Sequence, residues 1–145
     1  MIESTKQALS IERILHFEAP LDRVWHALTD PEELARWFPD RVEQPKLEPG
    51  VDGQFFWENH GSYAFRLEAI EPMTRLVWCW ARDADTPLAD TVTTTIEWTL
   101  EPIPDGGTTL RLYESGFVRP EDHEGNSKGW DAELQELVEL LSDKG

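Results

Sequence analysis

Cysteine is almost missing from this chain: 145 residues contain one, Cys79, so no intrachain disulfide can form. Basic residues are scarce as well. Lys and Arg total 13 against 29 Asp and Glu, a formal charge of −16. Such a field repels phosphate backbones and anionic lipid surfaces, so neither nucleic acid nor membrane docking is expected. No apolar run approaches the roughly 20 residues of a membrane span, and no N-terminal stretch resembles a secretory signal. A cytoplasmic protein is the expectation.

Several chemical signatures are absent too. There is no glycine-rich phosphate loop and no dinucleotide fingerprint. Ser115-Gly116 lacks the glycine pattern of a nucleophile elbow. His16, His26, His60 and His123 have no metal-ligand spacing and pair with neither Cys79 nor clustered carboxylates, so all four are expected at the surface. Cys79 reads as an apolar filler rather than a nucleophile. Nucleophilic and metal-dependent catalysis are not expected, no catalytic residue stands out, and no cofactor is implied.

What the chain does have is rings. Seven Trp and six Phe are many for one small domain. They imply either a bulky core or an aromatic-lined cavity, and composition does not separate the two. The length fits one domain over residues 1–145, with its core between about 11 and 141.

Hydrophobic periodicity orders the elements. Ile11, Leu15 and Phe17 alternate with polar neighbours, as in a strand. Pro20 then opens a helix with Leu21, Val24, Trp25 and Leu28 on one face. Asp30-Pro31-Glu32-Glu33 is a second helix start, with Asp30 as cap, Pro31 in the first turn and Glu33 at the capping-box position. That short helix carries Leu34, Trp37 and Phe38 and stops at Pro39. Strands are predicted over Gly53–His60, Tyr63–Ile70, Arg75–Arg82, Thr91–Leu100 and Thr108–Phe117, with a hairpin turn at Gly61-Ser62. Val118–Gly125 reads as a loop. Asn126 or Ser127 caps a last helix in which Trp130, Leu134, Leu137 and Leu141 form the apolar stripe, and Glu133, Glu136 and Glu139 keep the rest wet.

This order predicts an α+β domain: a strand, two short helices, a meander of antiparallel strands and one long C-terminal helix. The sheet has one face to bury, and only the last helix is long enough to cover it. Bulky side chains on both would hold helix and sheet apart.

Certain segments carry a resemblance. They are Val24-Trp25-His26-Ala27-Leu28-Thr29-Asp30-Pro31 with Trp37-Phe38, then Arg75-Leu76-Val77-Trp78-Cys79-Trp80, Gly106-Gly107-Thr108-Thr109-Leu110, Ser115-Gly116-Phe117 and Gly129-Trp130. In this order the chain resembles the START-like (SRPBCC, helix-grip) superfamily, in the branch named for the activator of the heat-shock protein 90 ATPase. The likeness runs from about Ile11 to Leu141. It implies a curved antiparallel sheet of six to seven strands wrapped around the C-terminal helix. Members of the superfamily carry or sense lipids, polyketides and flavonoid-like aromatics, while others are cyclases, resistance proteins or co-chaperones. No universal catalytic motif accompanies the fold. The namesake co-chaperone has a separate N-terminal domain without counterpart in these 145 residues, so a chaperone partner is not expected.

The candidate ligand-binding residues are Phe38, Phe55, Trp57, Tyr63, Phe65, Trp78, Trp80, Trp98, Glu114, Trp130 and Leu134. Rings at strand parity usually fill a core, yet so many on one face would hardly close against one helix, so a partly open cavity is expected. Indole N–H groups at its wall would favour guests with a carbonyl, hydroxyl or ring oxygen. Glu114 shares the inward parity of Leu110 and Leu112. It could move protons inside the cavity, although such a residue more often sits solvated at the mouth or paired with an arginine. Tyr63 could anchor a polar group or merely cap the sheet edge. The expected function is binding of a small hydrophobic or aromatic molecule. The alternatives are a polyketide cyclase or dehydratase, with Glu114 or Tyr63 moving protons, and a co-chaperone-type interaction module. Exposed sheet edges are compatible with a homodimer, but no residue pattern demands one.

Overall fold

Residues 9–142 are described in a computed structural model. Strand β1 (Ser10–Phe17) leads to helix α1 (Leu21–Thr29) and the single turn α2 (Pro31–Leu34). Strands β2 (Arg41–Glu43), β3 (Asp52–Trp57), β4 (Gly61–Glu71), β5 (Arg75–Ala81), β6 (Thr93–Pro102) and β7 (Thr108–Ser115) follow, and α3 (Pro120–Ser142) is the last element described. All seven strands form one antiparallel sheet in the order β1-β7-β6-β5-β4-β3-β2, so the first strand closes the meander beside the last. This is the helix-grip arrangement that the sequence predicts. Among the described residues no helix is long and apolar enough to cross a membrane.

Alternation decides which face is buried. In β6, Thr94, Ile96, Trp98 and Leu100 point inward, and in β7 Thr108, Leu110, Leu112 and Glu114 do so. The register sets Trp98 beside Leu112 and Ile96 beside Glu114. Between β4 and β5 the pairing slips at Leu67/Ala69, a bulge that bends the bulged strand and adds to the sheet's curl. Helix α3 lays Trp130, Leu134 and Leu137 into the concave side. Helices α1 and α2 close one end, fixed by the buried Trp37 indole N–H donating to the Ala27 carbonyl at 2.9 Å. On the outer face the few cations are spent in cross-strand pairs, such as Arg75–Glu97 at 2.6 Å and Arg66–Asp52 at 2.7 Å. Exposed pairs of this kind each contribute little to stability.

Three local expectations differ from the structure. Helix α3 begins at Pro120, six residues before the expected cap, so the predicted loop at Val118–Gly125 is mostly helix. Pro120 fits the first helical turn, Glu121 and Asp122 suit its positive end, and the Arg119 carbonyl accepts from the Asp122 and His123 N–H groups. Second, the β3–β4 turn is Glu58-Asn59-His60 rather than Gly61-Ser62. The His60 N–H donates to the Trp57 carbonyl, and Gly61, at φ +90°, supplies the left-handed residue. Third, Glu33 does not complete a capping box. Asp30 alone caps α2, accepting from the Glu32 N–H at 2.9 Å, while Glu33 pairs with Arg23 at 3.0 Å. The three-residue β2 has no counterpart among the predicted strands.

Gly53 shows how tight the β3–β4 seam is. It sits opposite Phe65, whose ring lies over it, and an added Cβ would collide with that ring and with the Glu43 carbonyl. Because one obstacle is backbone, the strain cannot be relieved by a rotamer change. Gly53→Ala is expected to destabilise the fold by about 1–3 kcal/mol. In urea unfolding this would lower the midpoint at an unchanged slope.

Candidate functional site

The predicted ring cluster divides into a closed half and an open half. In the closed half Phe55 stacks on Phe65 at 4.2 Å between centroids, and Trp98 meets Trp37 edge-on at 6.0 Å. Phe55, Phe65, Trp78 and Trp98 are all essentially inaccessible, and Leu134 is buried with them. These five, expected at the ligand, are packed into the core and do not line the cavity between sheet and α3. Here flat rings find offset and edge-to-face partners at every side, so no space remains. The Trp78 and Trp98 N–H groups find no hydrogen-bond partner in this core, a further sign that ring packing dictated their placement.

Phe38, held after α2 by its N–H to the Leu34 carbonyl at 2.8 Å, is the boundary. It touches Phe55 at 5.1 Å on the closed side and lies parallel to Trp130 at 5.2 Å, with Trp57 at 5.2 Å. Beyond it a cavity of about 550 Å³ opens between sheet and α3. Of the expected residues Phe38, Trp57, Tyr63, Trp80 and Trp130 line it, joined by Thr94, Val92 and Arg82 from the sheet side. Helix α3 contributes Asp122, Gly125, Asn126, Gly129, Ala132 and Glu133. Side chains added at Gly125 or Gly129 would meet nothing within 4 Å, so the space exists partly because these two positions lack one.

Glu114 lies behind this wall, not at the mouth and not against an arginine. It is 0% exposed and accepts four hydrogen bonds. Trp130 Nε1 donates to one oxygen at 2.7 Å. Thr94 Oγ1 at 2.6 Å, Trp80 Nε1 at 3.0 Å and Asn126 Nδ2 at 3.1 Å donate to the other. All four donors line the cavity, whereas Glu114 itself does not. Burial of a carboxylate is tolerable when its lone pairs are filled in this way. The two wall indoles are thereby turned inward, and the expectation that their N–H groups would meet a guest's oxygen does not hold for them.

The carboxyl that does reach the cavity is Glu133, expected on the wet face of α3. It is half-buried, and burial pushes its pKa from 4.5 up to about 7, assisted by Glu136 and Asp40, with the Trp57 indole N–H partly opposing. A spacing signal existed: Asn126, Trp130, Glu133 and Leu137 fall at intervals of four, three and four, on the inward stripe. Tyr63 keeps its phenolic proton, its pKa raised first by burial and then by Asp85 and Asp83. At the opposite rim Arg82 spans Asp83 at 2.9 Å and Asp122 at 3.7 Å, tying β5 to α3. His16, His26 and His60 are exposed; His123 is half-buried, its Nε2 2.8 Å from the Ser10 carbonyl. The half-buried Cys79 thiol has its pKa raised by burial and Glu68, which lowers its nucleophilicity at neutral pH. Among the described residues no three His, Cys, Asp or Glu side chains gather to hold a metal ion.

Two measurements probe these carboxyls. Glu114→Gln replaces one acceptor oxygen by a donor facing other donors, and is expected to cost about 1–3 kcal/mol in urea unfolding. For Glu133 the folded state binds the proton more tightly than the unfolded chain, so its contribution is fully present below about pH 4.5 and is lost as pH rises through about 7. The melting temperature of wild type relative to Glu133→Gln, measured from pH 4 to pH 8, is expected to fall as pH rises through about 7.

Comparison with known proteins follows the geometry. No curated protein is similar enough in sequence to match. The protein MLL2253 from Mesorhizobium loti has 26% identity over 94% of this chain and 98% of its own, with a TM-score of 0.80. DynU16, a protein of the dynemicin biosynthetic locus, has 23% identity over 94% of this chain at a TM-score of 0.79, and this chain spans 48% of it. The Aha1 dimer from Colwellia psychrerythraea has 22% identity over 94% of this chain and 98% of its own, at a TM-score of 0.75. The last two likenesses speak to fold alone. The profile of the family described as activator of Hsp90 ATPase homolog 1-like protein matches residues 18–142, and the chain belongs to that family.

Proposed function

We propose that this chain binds a small hydrophobic molecule, aromatic or polycyclic in outline, in the cavity between sheet and α3. The carrying observation is the cavity of about 550 Å³ walled by Phe38, Trp57, Trp80 and Trp130. Its volume falls within the ~300–1,000 Å³ of typical small-molecule sites. The fold and family are compatible with such a ligand, and flat ring walls favour flat guests through stacking. A cyclase or dehydratase activity is the second reading. What favours it is Glu133, because a cavity carboxyl titrating at about 7 is suited to general acid–base work near neutral pH.

Binding is read from tryptophan emission, since Trp57, Trp80 and Trp130 border the space. A panel of flavonoids, anthraquinone-type polyketides and fatty acids is expected to contain at least one saturable quencher. Gly129→Phe places a ring in the empty volume. Glycine inside a helix costs about 1 kcal/mol relative to alanine, so replacing it should not unfold α3. The variant is expected to keep its far-ultraviolet circular dichroism and lose at least about tenfold in affinity, a change of 1.4 kcal/mol. An unchanged emission across the whole panel would remove the proposal.

A further inference from the structure

The polar groups that a guest could reach are unequally divided. Of the three wall indoles, Trp80 and Trp130 give their N–H to Glu114, and the Trp57 N–H lies near enough to Glu133 to lower its pKa. An indole carries one N–H and no acceptor, so a bonded wall tryptophan offers a ring face and nothing more. The Thr94 hydroxyl is likewise committed to Glu114 at 2.6 Å. Arg82 is held between Asp83 and Asp122. A carboxylate, by contrast, has about four acceptor positions, and one indole leaves most of those on Glu133 unfilled.

We propose that the cavity selects aromatic ligands bearing a protonated amine, and that Glu133 is the side chain that pairs with it. The inference rests on the ligand-binding reading above and specifies its chemistry. Electron-rich faces of Trp57, Trp80 and Phe38 attract a cation as well as a ring. The surrounding charge points the same way. Glu136 on α3 and Asp40 before β2 both bear on Glu133, while Arg82 is paired with Asp83 at 2.9 Å and Arg119 with Asp122 at 2.9 Å, so neither arginine is left unpaired. A guest carboxylate would meet this field with no unpaired arginine to receive it. The pair forms only after Glu133 has lost its proton, so amine affinity rises as pH passes through about 7. His60, of a residue type that titrates near neutrality, shares the cavity wall and needs its own control.

The experiment uses three probes with one ring system: 2-naphthylmethylamine, 2-naphthalenemethanol and 2-naphthoate, titrated calorimetrically into the full chain at pH 6 and pH 8. At pH 8 the amine is expected to bind about tenfold tighter than the alcohol, with the carboxylate weakest. In Glu133→Gln the amine-to-alcohol ratio is expected to fall below about threefold and to lose its pH dependence, which persists in His60→Asn. An amine no tighter than the alcohol, or a preference that survives Glu133→Gln, overturns this inference and leaves the binding reading standing. If none of the three probes binds, the inference falls, and the binding reading is decided by the tryptophan-emission panel.

Discussion

One buried carboxylate holds the two halves of this fold in register. Glu114 on β7 gathers donors from β5, β6 and α3 onto two oxygen atoms, with no cation among them. A carboxylate taken out of water without a counter-charge is costly, and four directed hydrogen bonds offset that cost only if all form together. Helix and sheet are therefore fixed to each other through polar geometry at this end, while Leu134 and Leu137 fix them through apolar packing farther along. Two of the four donors are indoles, whose bulk keeps water from the carboxyl group they serve. Because the same side chains form the cavity wall, the shape of the cavity is set by a residue that does not line it.

The cavity follows from a change of side-chain size along one helix. Toward its C-terminal end α3 presents Leu134 and Leu137 to a ring-filled core, and the two surfaces interlock. Toward its N-terminal end Gly125 and Gly129 present no side chain to the cavity, and only Trp130 reaches across to Phe38 and Trp80. Glycines weaken an isolated helix, yet α3 persists through them because Pro120 and two acidic residues start it and Arg82–Asp122 anchors its first turn to β5. The open half is thus a consequence of sequence rather than of poor packing. Phe38 marks the division, with its edge against Phe55 and its face against Trp130.

Much of the architecture was legible because it is written locally. Period-2 alternation in Thr94, Ile96, Trp98 and Leu100 located β6 and its buried face, and Asp30-Pro31 located α2. The start of α3 was not legible, since Gly125, Asn126 and Ser127 are common outside helices and Asn126 reads as a cap. Its actual role, donating to Glu114, depends on contacts that no local window contains. The inward parity of Glu114 was readable, whereas its partners required the register that sets Trp80 opposite Thr94 and Ile96 opposite Glu114. Glu133 was misjudged for a simpler reason. Its charge type argued for solvent, and its place on the stripe from Asn126 to Leu137 argued for the interior; the stripe prevailed only in part, leaving it half-buried.

The orientation of the indoles decides what the cavity can recognise. A tryptophan N–H can serve the scaffold or the guest, but not both, because there is one proton to donate. By drawing Trp80 and Trp130 toward itself, Glu114 removes two donors from the wall and leaves ring faces and an acceptor there. The Trp80 N–H is held twice over, since it also lies 2.9 Å from the Thr94 hydroxyl oxygen. Recognition in such a cavity is therefore governed less by which aromatic residues line it than by what stands behind them. In this chain what stands behind them is a carboxyl group, Glu114, and the polar group left on the cavity side, Glu133, is an acid as well.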